Sequence, residues 1–217
     1  MSTRTTDYLD AIEHLPDGAT LVIQQFSWDD YERLVEDLQE GPHVRVSYDR
    51  GRLEIMSPLP EHEEYARFID VLVRAFSEKL DLKLQCYGSA TWKRQRLARG
   101  AEPDSCYYVA NAERVIGKRK FDLEIDPPPD IVVEIDITNE SLSKFPIYAA
   151  LGVPEIWHYD GREVQFCELA GDKYREVLQT RSFPGLTPAM LATALEQSKS
   201  DGQTAALRAF RQQWSSK

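Results

Sequence analysis

Apolar residues fall at Tyr65, Phe68, Ile69, Leu72, Val73, Phe76 and Leu80, the three- and four-residue spacing that turns one helix face toward a core. The spacing predicts a helix from Glu61 to about Leu80, the best-patterned one in the chain. A second rhythm governs Pro129-Asp130-Ile131-Val132-Val133-Glu134-Ile135-Asp136-Ile137. Strand side chains alternate faces, so Ile131, Val133, Ile135 and Ile137 share one face and Asp130, Val132, Glu134 and Asp136 the other. Glu134 therefore lies deep in a strand of β-branched and charged neighbours.

Punctuation residues place the shorter elements. Ser27-Trp28-Asp29-Asp30 reads as an N-cap opening a helix through about Leu38, which Gly41-Pro42 ends. Val44 to Tyr48 and Leu53 to Met56 flank Asp49-Arg50-Gly51 as a hairpin, and Ser57-Pro58 breaks the second strand. Leu82 to Tyr87, Thr91 to Leu97 and Asp104 to Ala110 read as strands, with turns at Gly88-Ser89 and Arg99-Gly100. Asn111 to Asp126 is charged and irregular, and Pro127-Pro128-Pro129 fixes where the next strand begins. Asn139 to Ser143 offers helix caps, Pro146 fits the first turn of a helix to about Leu151, and Gly152 closes it. Glu155 to Tyr159, Glu163 to Leu169 and Tyr174 to Gln179 continue as strands, with a tight turn at Asp160-Gly161. Pro188 starts a helical tail carrying Leu191, Leu195, Leu207, Phe210 and Trp214. The short helical crossover between 131 and 159 makes its two strands parallel, so the expected fold is α/β with a mixed sheet.

Composition narrows the class. The 217 residues suit one medium domain, with a core over about 40–180 and a helical tail over about 188–217. A hydrophobic content of 42%, with ten tyrosines and four tryptophans, supports a sizeable core and excludes disorder for most of the chain. Cys86, Cys106 and Cys167 share no metal-ligand spacing and read as small buried hydrophobes of a reducing compartment. The start is polar and no apolar run approaches membrane-spanning length, so the expectation is a soluble, cytoplasmic protein with no membrane partner. A formal charge of −10 argues against gripping DNA by bulk electrostatics, yet allows an enzyme whose acidic site is filled by a cation.

The chemistry gathers around two acids. Pro103-Asp104 opens one strand-like segment as Pro129-Asp130 opens the other. A carboxylate in a low-dielectric strand needs compensation, and a divalent cation provides it. Asp104 and Glu134 are the ligand candidates, the Ile135 carbonyl a further one, and Asp136 could join them. The competing readings are a strand-start acid on backbone N–H groups for Asp104 and a solvated or loop-capping acid for Asp136. Lys144, after the strand, could return its ammonium toward Glu134 to orient a water or neutralise developing charge; alone it would read as a surface lysine. Lys93, Arg94, Arg96 and Arg99 interleave with Trp92, and Lys118, Arg119 and Lys120 form a second run. Both could meet phosphates or be ordinary solvated cations.

The sequence resembles the Uma-two (Uma2) family of restriction-endonuclease-like proteins, within the PD-(D/E)XK nuclease superfamily. The matching segments are Gly51 to Pro58 with His62, Ala101-Glu102-Pro103-Asp104, Pro129 to Ile135 and Tyr148 to Trp157, spread over roughly residues 40 to 180. The resemblance implies a restriction-endonuclease-like mixed sheet flanked by helices, preceded by an N-terminal helix and hairpin. It makes Asp104 the acid of the PD element and Glu134 that of the (D/E)XK element. The superfamily's lysine would stand at position 136, where this chain has Asp136, and the resemblance moves that role to Lys144. An extra acid from the preceding helix makes Glu61 or Glu64 a third-ligand candidate, while His62 reads as a cap, a packed side chain or a functional group. The implied activity is Mg²⁺- or Mn²⁺-dependent hydrolysis of DNA phosphodiesters; because paired cuts need two sites and the tail carries apolar residues, a homodimer is expected. The rival readings are a nuclease fold used only for nucleic-acid or protein contacts and, more distantly, a carboxylate-pair hydrolase acting on sugars.

Overall fold

Two sheets organise the chain in this computed structural model, which describes residues 3–38, 41, 43–137 and 144–215. The cap residues expected at 139–143, and Pro42, lie outside them. The first sheet holds β1 (Thr20–Ile23), β2 (Arg45–Asp49), β3 (Arg52–Met56), β5 (Trp92–Arg94) and β6 (Arg99–Ala101). Its order is β1-β3-β2-β6-β5, and all its pairs are antiparallel. The second holds β4 (Gln85–Cys86), β7 (Ser105–Tyr108), β8 (Ile131–Ile135), β9 (Glu155–Tyr159), β10 (Val164–Ala170) and β11 (Lys173–Val177). Its order is β11-β10-β9-β8-β7-β4. Strands β8 and β9 are parallel, joined through α5 (Phe145–Leu151), and the other pairs are antiparallel. The mixed sheet expected from the crossover is present.

The alternation along β8 decides what each sheet face buries. Ile131, Val133 and Ile135 pack with Tyr65, Phe68, Leu72 and Phe76 of α3 (Pro60–Lys79). The same cluster takes in Leu191 and Leu195 of α6 (Pro188–Asp201) and Phe210 of α7 (Gln203–Ser215). Val132 points to the other face, against Ile147, Tyr148 and Leu151 of α5. A third cluster under the first sheet joins Ile12 of α1 (Thr3–Glu13), Tyr31 and Leu34 of α2 (Trp28–Asp37), and Val46, Leu53 and Ile55.

Local chemistry explains the element ends. Ser27 caps α2, its hydroxyl accepting from the Asp30 N–H at 3.1 Å. Pro60 occupies the first turn of α3 with Glu61 and Glu63, and Lys79 the last, a charge order that suits the helix dipole. Arg50 (φ 47°) and Gly51 (φ 94°) are both left-handed, as a tight two-residue hairpin turn requires.

Several boundaries differ from the sequence reading. Residues 95–97 form a 3-10 turn closed by left-handed Ala98, and β6 occupies the expected turn at Arg99-Gly100. Gly100 signals close approach rather than a turn: a Cβ there would lie 2.2 Å from the Tyr31 hydroxyl. The segment read as a strand over Leu82 to Tyr87 is paired only at Gln85–Cys86, and the irregular stretch contains α4 (Ala112–Val115). α1 and β1 were not anticipated at all. Among the described residues no helix is long and apolar enough to cross a membrane.

Candidate metal centre

Asp104 stands where the chain enters β7. Its N–H donates to the Val133 carbonyl at 3.0 Å, and its Oδ2 accepts the Ile135 N–H at 2.8 Å, so the acid is stitched to β8 at both points. Glu134, next to last in β8, projects toward α5. There Lys144 Nζ donates to Glu134 Oε2 at 2.7 Å and to the Glu102 carbonyl at 3.2 Å. Tyr148, one helical turn on, donates its hydroxyl to Glu134 Oε1. The structure thus brings Glu134 and Lys144 into direct contact and sets Asp104 beside them, all three at least nine-tenths buried.

Electrostatics follow from that burial. Loss of solvent pushes the Glu134 carboxyl up to about 7; the Lys144 ammonium pulls against this, and the Asp104 and Asp136 charges add to it. Burial opposes the charge on Lys144, but Glu134 and Asp104 outweigh it and raise its pKa. Lys144 therefore stays cationic, while Glu134 exchanges its proton near neutral pH.

One partner of Asp104 escaped the sequence reading. Arg45, on β2 and only 3% exposed, places Nε 3.6 Å from Asp104 Oδ1 and donates Nη2 to Glu63 on α3. Its trace in the sequence is a lone arginine inside a β-rich run, with nothing to indicate a partner far along the chain. Tyr148 lies in a segment that carries the resemblance, and the sequence alone assigns it no role.

The remaining candidates divide. Asp136 Oδ2 lies 2.9 Å from His158 Nε2, whose pKa that bond raises, and the Asp136 N–H donates to the Tyr159 carbonyl. Glu61 accepts the Tyr65 hydroxyl at 2.7 Å, and Glu64 is exposed. His62 is buried with neither ring nitrogen hydrogen-bonded among the described residues; burial lowers its pKa against the raising charges of Asp104, Asp136 and Glu61. The basic run is engaged elsewhere: Lys93 pairs with Glu32 at 3.0 Å, Arg96 with Glu124 at 2.9 Å and Arg99 with Asp49 at 2.8 Å. Arg94 donates to the Leu123 carbonyl, and in the second run Lys118 pairs with Asp126 while Arg119 and Lys120 are exposed.

The donor set fits a hard divalent cation. Asp104 Oδ1 is buried and has no hydrogen-bond partner among the described residues, so it keeps lone pairs for a cation. Among the described residues, no three His, Cys, Asp or Glu side chains are gathered closely enough to hold an ion. Two carboxylates with waters and phosphate oxygens completing the shell is the arrangement Mg²⁺ commonly accepts.

Comparison with known proteins bears on the family and the fold. The family model for Uma2, described as a putative restriction endonuclease, matches residues 28–198. A putative nuclease belonging to DUF820 from Anabaena variabilis has a similar structure, with a TM-score of 0.54 over 78% of this chain and 99% of that one. At 16% identity that likeness shows a shared fold. No curated protein matches the chain.

Proposed function

The chain belongs to the Uma2 family, and from that premise we propose that it is a metal-dependent endonuclease hydrolysing phosphodiester bonds in DNA. The observation that carries this reading is the buried contact of Glu134 with Lys144 beside Asp104, whose Oδ1 makes no hydrogen bond among the described residues. Asp104 and Glu134 would hold Mg²⁺ or Mn²⁺, which supplies Lewis acidity against the charge building on the scissile phosphate. Lys144 gives two of its three N–H groups to Glu134 and the Glu102 carbonyl. The ammonium would orient the attacking water and offset negative charge on the phosphate. Tyr148 and Lys144 grip the two Glu134 oxygens and fix the carboxylate for this task. Paired cuts in a duplex call for two such sites, hence a homodimer. The three cysteines are free, which suits a reducing cytoplasm.

Supercoiled plasmid incubated with Mg²⁺ or Mn²⁺ tests the reading. The wild type should nick it, and Glu134→Ala and Lys144→Ala should not. Activity unchanged from the wild type in both variants would refute the assignment. No Mn²⁺ binding and no cleavage by the wild type would favour the rival reading, a nuclease fold kept for nucleic-acid or protein contacts, toward which the −10 charge also points.

A further inference from the structure

The Asp104 carboxyl is buried, yet one of its oxygens makes no hydrogen bond among the described residues, and Arg45 stands beside that oxygen. Their 3.6 Å separation is an ion-pair distance, but neither Arg45 Nε nor Asp104 Oδ1 has a hydrogen-bond partner among the described residues. The rest of the guanidinium is turned aside. Nη2 donates to Glu63 Oε1, and Nη1 lies 3.3 Å from His43 Nε2, which is itself 3.1 Å from the same Glu63 oxygen. Glu63 rides in the first turn of the 20-residue helix α3, so a long, well-packed element holds the guanidinium short of Asp104.

We propose that Arg45 is a positioning residue for the metal: a resident cation that compensates the buried charge of Asp104 without occupying its coordinating oxygen, and that weakens metal affinity at this site. The inference rests on the reading that Asp104 holds the ion. A divalent cation at Oδ1 is repelled by the guanidinium a few ångströms away, so removing that charge strengthens binding. Neutralising Glu63 acts in the opposite direction. The guanidinium, no longer held back, closes on Oδ1 and competes with the metal.

Mn²⁺ affinity, measured by calorimetry on the full chain at one fixed pH, tests this without reference to activity. Arg45→Met should bind Mn²⁺ about tenfold more tightly, and Glu63→Gln about tenfold more weakly. The double variant should match Arg45→Met alone, because the Glu63 effect runs through the guanidinium. Unchanged or weaker binding by folded Arg45→Met, or additive effects in the double variant, would overturn the inference while leaving the metal reading in place. If Arg45→Met does not fold, Glu63→Gln decides: weaker binding supports the inference, and unchanged or tighter binding overturns it. A wild type that binds no Mn²⁺ overturns both.

Discussion

Each end of strand β8 has its buried acids, and the two ends treat them differently. At the first, Asp130 accepts from the Val109 N–H at 2.7 Å, the Asn111 N–H at 2.9 Å and the Asn111 amide at 2.6 Å. Neutral donors fixed by the backbone saturate it, and it ties the loop after β7 to the start of β8. At the other end, Asp104 has one oxygen on a backbone N–H and one with no hydrogen bond among the described residues, and Glu134 is held by an ammonium and a phenol. Burial does not separate the two ends, since Asp130, Asp104 and Glu134 are 4%, 6% and 4% exposed. The difference lies in which groups satisfy the oxygens. Neutral saturation makes a carboxylate structural, whereas spare lone pairs beside cations leave it able to take a metal.

The largest effect expected from this contrast is on activity. Glu134→Ala should lower metal-supported plasmid nicking by about a hundredfold or more, whereas folded Asp130→Asn should keep it near the wild-type rate. An equal loss in both would erase the distinction. The next effect is on stability. Asp130→Ala strands its backbone donors at a cost of roughly 1–3 kcal/mol for each left unsatisfied, read by urea unfolding, with Mn²⁺ affinity unchanged.

A smaller effect is on pH dependence. Because Glu134 holds its proton up to about 7, Mn²⁺ must displace that proton in acid. Mn²⁺ affinity should therefore rise between about pH 6 and about pH 8, and a flat profile would remove Glu134 from the ligand set. Metal-free stability runs the other way. The native carboxyl keeps its proton to higher pH than the unfolded one, so its contribution is full below the ordinary carboxylate range and is lost as pH rises through about 7. The mildest change is Tyr148→Phe, which removes one donor to the ionised Glu134 and should move the midpoint of the Mn²⁺ profile upward.

How much of this was legible in the sequence depended on the range of the interaction. The two faces of β8 and the buried face of α3 follow from local periodicity, and both stand as expected in the structure. The contact of Lys144 with Glu134 was within reach because the two lie only ten positions apart in the chain. α1 was not legible: its described apolar contacts are few, with Ile12 fully buried beside partly buried Tyr8 and Leu9. β6 was hidden because Gly100, needed for the Tyr31 hydroxyl, imitates a turn signal. Arg45 was hidden because its meaning comes from Glu63 on one helix and Asp104 on another sheet, neither encoded near it in the chain. The acidic partners of the basic run around Trp92 were hidden for the same reason, since Glu32, Asp49 and Glu124 all lie well away from it in the chain.

The most direct test is a crystal soaked in Mn²⁺ and measured at the manganese absorption edge. An anomalous peak within about 2.3 Å of both Asp104 Oδ1 and a Glu134 oxygen is the predicted result. Density for Mn²⁺ elsewhere, or none at that pair of carboxylates, would contradict the claim that this end of β8 is built to hold a cation.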